Sequence, residues 1–275
     1  MNLGELGNLM AEQPSTATMP AMFVGHGNPM NAIEENEFTR GWRDAAAKIP
    51  TPAVIICISA HWETKGTLVT AMEKPKTIHD FGGFPRKLYE VQYPAPGSPE
   101  FAQTIKLTIK NHEIGLSQDW GLDHGCWSPI IKMYPDANIP IVQLSLDYGL
   151  DGSGHFELSK QLAAFRNNGA LLIGSGNMVH NLGLVAWDKM NEPDFGFDWA
   201  LEASAKMKKY ISEKDFQSLI NYRKQGRAFD LAINSAEHYL PMLYVLALMG
   251  KNEKSTFFND KAQAGSLTMT SFVVI

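Results

Sequence analysis

Short apolar runs alternate along this chain with longer amphipathic stretches. Runs rich in Val, Ile and Leu, bounded by Gly, Pro or Asn, predict buried strands over 20–25, 53–60, 67–72, 139–146, 170–175 and 266–275. Periodic mixed stretches predict helices near 34–48, 98–112, 154–168, 194–211, 213–224 and 239–249. Strands alternating with helices build a doubly wound α/β sheet. The expected fold is one α/β domain with a central, mostly parallel or mixed sheet and helices on both faces. The C-terminal TSFVVI is rich in β-formers and is expected inside that sheet. No repeat, low-complexity tract or linker divides the sequence, so residues 20–275 read as one domain. Residues 1–19 (MNLGELGNLMAEQPSTATM) read as a flexible lead-in.

Three predicted strands run into a histidine. AMFVGH ends at His26, AVIICISAH at His61 and ALLIGSGNMVH at His180. A single histidine after a strand is ordinarily a capping or hydrogen-bonding residue. Three in the same setting are different, because open α/β sheets bind ligands beyond the carboxyl ends of their strands. The pattern therefore directs three imidazoles toward one cleft, and the economical use of such a cluster is a metal ion.

Composition narrows the alternatives. The chain has 275 residues, 44% of them hydrophobic, enough for one large core. Its net charge is −5 and no basic run interleaves with aromatics, so nucleic acid is not an expected partner. No apolar stretch reaches membrane-spanning length, and the first nineteen residues lack the cationic and apolar regions of a secretory signal. The two cysteines, Cys57 in an apolar strand and Cys126 in a Gly-flanked loop, imply no disulfide framework. A reduced cytoplasm is the expected compartment.

The motifs around the histidines share a design. In GHGNPM, Gly25 and Gly27 let the chain turn sharply and aim His26 into the crevice. In SAHW, Ser59 and Ala60 are small and Trp62 is expected to pack behind His61. GSGNMVHN sets two glycines and Asn177 before His180. A fourth candidate, His238, precedes a strongly apolar helix that Pro241 forces to begin near His238 or Tyr239. Glu237 competes with it. Neighbouring residues rarely point the same way, so one should coordinate and the other support. His124, in GLDHGCW, reads as a substrate-contacting residue or proton donor, and Asp123 is placed to orient a histidine. His112 and His155 read as surface residues.

Segment 76–97 mixes prolines and glycines with Phe81, Phe84, Tyr89 and Tyr93. A long ordered loop of this kind tends to be functional, and it is expected to form a lid or wall over the cleft, with His79 closing on the substrate. Phosphate-loop, nucleophile-elbow and H-E-x-x-H patterns are absent, and GSGNMV lacks the third glycine of a dinucleotide turn.

In this order, GHGNPM, SAHW, HDFGGFP, YPAPG, GLDHG, GSGNMVHN and EHYLP closely resemble the 4,5-DOPA extradiol dioxygenase family, of the class III, LigB-type ring-cleaving enzymes. The resemblance runs from about residue 19 to the C-terminus. It implies a single α/β domain with one divalent ion at the strand ends, Fe²⁺ for dioxygenase activity or Zn²⁺ as isolated. The implied ligands are His26, His61 and His238. His180 matches the active-site histidine, acting as acid/base or as a further metal ligand. The best-known class III enzymes complete the set with a glutamate, so here the third ligand is Glu237 or His238. An all-histidine site is typical of zinc, and two histidines with one carboxylate of oxygen-activating Fe(II).

The implied partners are a small catecholic substrate, such as DOPA opened to 4,5-seco-DOPA, and O2. A catechol binding through two adjacent oxygens beside dioxygen needs three open metal positions, which three facial ligands leave. A base must take the second phenolic proton, and a neutral histidine suits this near pH 7. His180 is expected to be that base, with His124 steadying dioxygen and Phe81, Phe84 and Trp62 walling the ring. Two other readings share the motif set: a zinc hydrolase in which metal-bound water attacks a carbonyl, and a non-catalytic Memo-like metal- or partner-binding protein.

Overall fold

The computed structural model describes residues 18–190 and 192–275. Its strands are β1 (Ala21–Gly25), β2 (Val54–Thr64), β3 (Thr67–Thr70), β4 (Ile114–Ser117), β5 (Ile141–Asp147), β6 (Ala170–Gly176), β7 (Ser255–Phe258), β8 (Ala262–Gln263), β9 (Leu267–Thr268) and β10 (Ser271–Val274). Eight of them form one sheet in the order β4-β3-β5-β2-β6-β1-β10-β7, and β8 pairs with β9 apart from it. The central neighbours β5, β2, β6 and β1 run parallel, while β10 adds antiparallel to β1. The sheet is mixed, as the sequence pattern predicts. The carboxyl ends of β1, β2 and β6 share one edge.

The helices are α1 (Glu37–Ala46), α2 (Arg86–Tyr89), α3 (Pro99–Thr108), α4 (His124–Met133), α5 (Gly152–Lys160), α6 (Ala163–Arg166), α7 (Asp198–Glu213), α8 (Phe216–Ile220), α9 (Arg227–Ala232) and α10 (Leu240–Ala247). They cover both faces, which is why β1, β5 and β6 are buried at every position rather than at alternate ones. Phe23, Ile56, Ile58 and Leu172 join a core completed by α5, α7 and α10. Met22, Ile55, Cys57 and Leu171 join another, completed by Trp42 of α1 and Trp127 and Ile130 of α4. Each strand thus divides its successive side chains between two cores.

The differences from the predicted elements have local causes. The helix expected over 154–168 is broken into α5 and α6, and the one expected over 98–112 stops at Thr108. The short outer strands β4 and β7 carry Gly, Ser and Thr and too few apolar residues to stand out. Segment 124–133, whose start reads as a loop because of its glycine, is the helix α4. It carries Pro129 in its interior, and Asp123 caps it by accepting the Cys126 backbone N–H at 3.1 Å. Cys126 is therefore a helical residue, not a loop residue. His155 is not on the surface: it is buried, with Nδ1 3.0 Å from the Tyr244 hydroxyl. His112 is half-buried, its Nε2 2.8 Å from the Thr67 hydroxyl. The lead-in lies outside the described residues except for Thr18 and Met19. Met19 is buried, and its backbone N–H donates to the Arg166 carbonyl at 3.0 Å.

Candidate metal centre

Backbone contacts too close for side chains set the site at the sheet edge. A Cβ on Gly25 would lie 2.7 Å from the Met269 backbone, and one on Gly176 would lie 2.1 Å from the His238 carbonyl oxygen. Glycine at these two strand ends lets the His26 segment lie against the Met269 backbone and the His238 segment lie against the end of β6. Hydrogen bonds hold them there: His26 N–H donates to the Gly176 carbonyl at 3.1 Å, and Asn177 N–H to the His238 carbonyl at 2.9 Å. His61 is presented differently. Ile58 pairs with Leu144 and Glu63 with Leu146, so three extra residues of β2 bulge out around His61. His180 lies beyond the end of β6, its N–H on the Ala232 carbonyl at 2.9 Å. His238 stands just before Tyr239, the N-cap of α10, as Pro241 in the first turn requires.

The outer nitrogens of four clustered imidazoles each face a partner. His26 Nδ1 lies 3.0 Å from the Ser175 hydroxyl, and that hydroxyl donates its only proton to the Gly125 carbonyl. Ser175 must then accept from His26 Nδ1–H, which leaves Nε2 bare. The Gly125 carbonyl is free for Ser175 because its helical partner four residues on is Pro129, which has no N–H. His124 Nδ1 lies 2.9 Å from Asp80 Oδ2, and His124 backbone N–H donates to Asp80 Oδ1 at 2.9 Å. His61 Nδ1 shares the same Asp80 oxygen at 3.3 Å. His238 Nδ1 lies 3.1 Å from Glu237 Oε1, which also accepts from the Ser235 hydroxyl at 2.8 Å. His26, His124 and His238 therefore present unprotonated Nε2 atoms, held from behind as metal-ligating histidines are.

These nitrogens meet. His26 Nε2 and His61 Nε2 are 3.1 Å apart. Two ligands of one ion at the usual Zn–N distance stand about 2.9–3.4 Å apart, so the spacing is that of a shared cation. Without one, His61 Nε2–H would have to donate to His26 Nε2. Ligand atoms of His26, His61 and His124 lie within 4.8 Å of one another, as do those of His180, Glu237 and His238. The two groups adjoin, with the His238 ring centroid 5.3 Å from that of His26 and 5.0 Å from that of His61. His180 stacks on His238 at 3.6 Å, nearly parallel.

Burial first, then the neighbouring imidazoles, hold His26 and His238 well below the ordinary histidine range. Burial likewise pushes His61 down to about 3 and His180 down to about 4. Neutral imidazole is the form that binds metal or accepts a proton. Asp80 shows the opposite balance. Burial raises its pKa, but its bonds to His124 and the charges of His124 and His61 outweigh this and keep it ionised.

A cavity of about 460 Å³ opens onto these histidines. Phe81 and Phe84 of the 76–97 loop line it, as the sequence predicts for a wall. The other expected liners do not. His79 turns into the loop, its Nε2 on the Val91 carbonyl at 2.9 Å, so it does not face the substrate space. Trp62 is buried and stacks on Trp120 at 5.6 Å, away from the cavity. Asp123 orients no histidine: it caps α4 and accepts from Ser59 at 2.6 Å and from Gln143. Asp80 does the orienting, and its place beside His79 in IHDFGG was the available signal. Sequence reading also missed the remaining apolar lining, Leu182, Trp187 and Met190 from the segment after β6 with Gln263 and Leu267 from the β8–β9 hairpin.

The family described as the catalytic LigB subunit of aromatic ring-opening dioxygenase matches residues 16–274. The chain belongs to the LigB family. It is 44% identical over 261 residues to "4,5-DOPA dioxygenase extradiol" of Escherichia coli K12, covering 94% of this chain and 95% of that protein. It is 32% identical to the protein of the same name from Beta vulgaris, covering 91% and 94%. The crystal structure of an uncharacterized Escherichia coli K12 protein superposes with a TM-score of 0.81 at 39% identity, covering 94% of this chain and 100% of that one. This LigB-family protein is thus a ring-opening dioxygenase, an oxidoreductase with a mixed α/β sheet and a histidine cluster at its edge. Among the described residues, no helix is long and apolar enough to cross a membrane.

Proposed function

We propose that this LigB-family enzyme cleaves catechols, DOPA among them, at the extradiol position with O2, using one divalent ion held by His26, His61 and His238. The observation carrying this reading is the 3.1 Å approach of His26 Nε2 and His61 Nε2, with His26 Nδ1 on the Ser175 hydroxyl and His61 Nδ1 3.3 Å from Asp80. Glu237 is bonded to His238 Nδ1, which favours His238 as the ligand and Glu237 as its support. Fe²⁺ is the working ion in this reading, because zinc has no redox chemistry, although a histidine-rich site retains zinc readily. When bound, the ion supplies the electronic link between catechol and dioxygen.

The residues do the rest. His180, neutral and stacked on His238, takes the second phenolic proton. His124, fixed twice by Asp80, offers Nε2 toward the reacting oxygens. Phe81 and Phe84 face the ring and exclude water. Cys57 and Cys126, free and buried, fit a cytoplasmic enzyme.

The test is oxygen uptake by anaerobically iron-loaded protein with a panel of catechols, followed for a yellow ring-opened product. Uptake with stoichiometric product supports the reading; none with any catechol defeats it. Turnover with zinc and without oxygen would restore the hydrolase. A second ligand set, with His124 in place of His238, is favoured by the compact His26–His61–His124 group. Metal content decides: His238→Ala should lose the ion and His124→Ala keep it, and the reverse selects the alternative.

A further inference from the structure

Among the described residues, Asn177 Oδ1 is the one buried side-chain polar atom of the cavity lining without a hydrogen-bond partner. The residue around it is fully engaged. Its backbone N–H donates to the His238 carbonyl at 2.9 Å, and its Nδ2 donates to the Thr268 carbonyl at 2.8 Å. The second bond sets which end of the amide is which, because a carbonyl accepts only from the NH2 end. Oδ1 is therefore a carbonyl oxygen left bare in a buried wall. Asn28, the other asparagine of the cavity, differs: its Oδ1 accepts from the Met30 N–H at 2.9 Å.

A bare buried acceptor costs stability unless a ligand completes it. An amide oxygen has lone pairs and no proton, so its complement is an O–H or N–H donor. The neighbouring imidazoles do not supply one. His26 and His238 turn unprotonated Nε2 atoms inward, and no hydrogen bond joins Asn177 Oδ1 to His180. Bonds at both backbone and side chain hold the amide in place, so Oδ1 does not swing away to another partner. A catechol brings the missing donor: the hydroxyl that keeps its proton after the first is lost. Asn177 is tied to the His238 backbone, so it serves the oxygen-bearing end of the ring rather than the ring's substituent.

We infer that Asn177 is a substrate-binding residue whose Oδ1 accepts from the remaining catechol hydroxyl and holds its proton until His180 takes it. This rests on the catechol reading above and adds the group that fixes the second hydroxyl before proton transfer. Oδ1 stabilises only the protonated hydroxyl. It therefore raises the pH at which a bound catechol loses its second proton, by about one unit for one buried hydrogen bond.

The test uses zinc-loaded protein, which binds without turnover, and 4-nitrocatechol, whose visible spectrum separates its singly and doubly ionised forms. The pH at which the bound ligand passes from one form to the other is read in wild type, Asn177→Ala and Asn177→Asp. Both variants lose the Nδ2 bond to Thr268, but only Asn177→Asp keeps an acceptor at Oδ1. The midpoint should fall by about one pH unit in Asn177→Ala and should not fall in Asn177→Asp. Equal shifts in the two variants, or none in Asn177→Ala, reduce the residue to a tie to Thr268 and overturn the inference. A crystal structure of the wild-type zinc complex with 4-nitrocatechol decides the matter where a variant fails to fold. Oδ1 should lie within about 3.2 Å of a ligand oxygen, and a wider separation overturns the inference. Each of these failures leaves oxygen uptake by the iron-loaded wild type intact. The expected contact without oxygen uptake on any catechol defeats ring cleavage instead and leaves the role of Asn177 in binding standing.

Discussion

Ser175 sets the tautomer of His26. Its hydroxyl donates to the Gly125 carbonyl and can only accept from His26 Nδ1, so the free lone pair of the ring points inward from Nε2. The Gly125 carbonyl is available because Pro129 supplies no N–H. Pro129→Ala restores that N–H, lets the helix reclaim the carbonyl, and frees Ser175 to donate to His26 instead. We expect Pro129→Ala and Ser175→Ala each to weaken metal binding about 10–100-fold while the far-ultraviolet circular dichroism stays native. Competitive titration with a metal-sensitive chromophore measures this; unchanged affinity in both would remove the tautomer argument.

Asp80 holds two imidazoles with one carboxylate. Asp80→Asn keeps the size but replaces one acceptor oxygen with a donor, which cannot serve both His61 and the His124 N–H. A loss of about 10–100-fold in kcat is expected, with KM little changed. Steady-state kinetics on the variant, with metal content checked, settles whether Asp80 acts through these rings.

Gly176→Ala tests the close approach of β6 to the His238 backbone. The new methyl would lie 2.1 Å from the His238 carbonyl oxygen, so that segment must move by about 1 Å. Loss of bound ion, or at least a hundredfold loss of activity in what ion-loaded protein remains, is expected. Gly66→Ala, at a position with open space around the added Cβ but a φ of +76°, serves as the comparison for backbone strain alone.

Acid should destabilise the metal-free protein over a defined window. His180 and His61 titrate near 4 and 3 in the fold against 6.5 in the unfolded chain, and His26 and His238 are also held low. Between those limits the unfolded chain binds more protons, so stability falls as pH drops from about 6.5 toward 4, by at most about 1.4 kcal/mol per pH unit for each histidine. Asp80, held low in the fold, removes stability in the same direction at still lower pH. Thermal melts from pH 7.5 to 4.5 should show a steady decline in Tm that is shallower in His180→Gln; a flat profile contradicts the neutral buried imidazoles.

Arg166 is a structural anchor far from the chemistry. Its buried guanidinium donates to the Met19 and Leu248 carbonyls, both at 2.6 Å, and to the Glu253 carboxylate. Arg166→Met leaves two buried carbonyls and a half-buried carboxylate without their donor, a cost of about 3 kcal/mol and a fall in Tm on the order of 10 °C. Activity measured well below the new Tm should be unaffected.

The apolar runs determined the strands, and the residues that end them determined where the chemistry lies. Strands 20–25, 53–60, 139–146 and 170–175 are legible because a sheet covered on both faces demands mostly apolar sequence. Gly25 and Gly27 around His26, and Pro241 after His238, are legible because their backbone consequences are local. Tertiary structure alone decided the rest. Asp80 reaches His124 across 44 positions, and Ser175 reaches His26 across 149. Such pairings leave no mark in spacing, so Asp123, nearer in sequence, was the more natural partner for a histidine. His155 looked exposed because it lies near a helix start, yet packing against α10 buries it against Tyr244. Trp187 and Leu182 looked like any loop residues until the fold brought them to the cavity that Phe81 and Phe84 line. Sequence writes down what a residue does to its own backbone; which distant side chain faces it is settled only when the two cores close on the sheet.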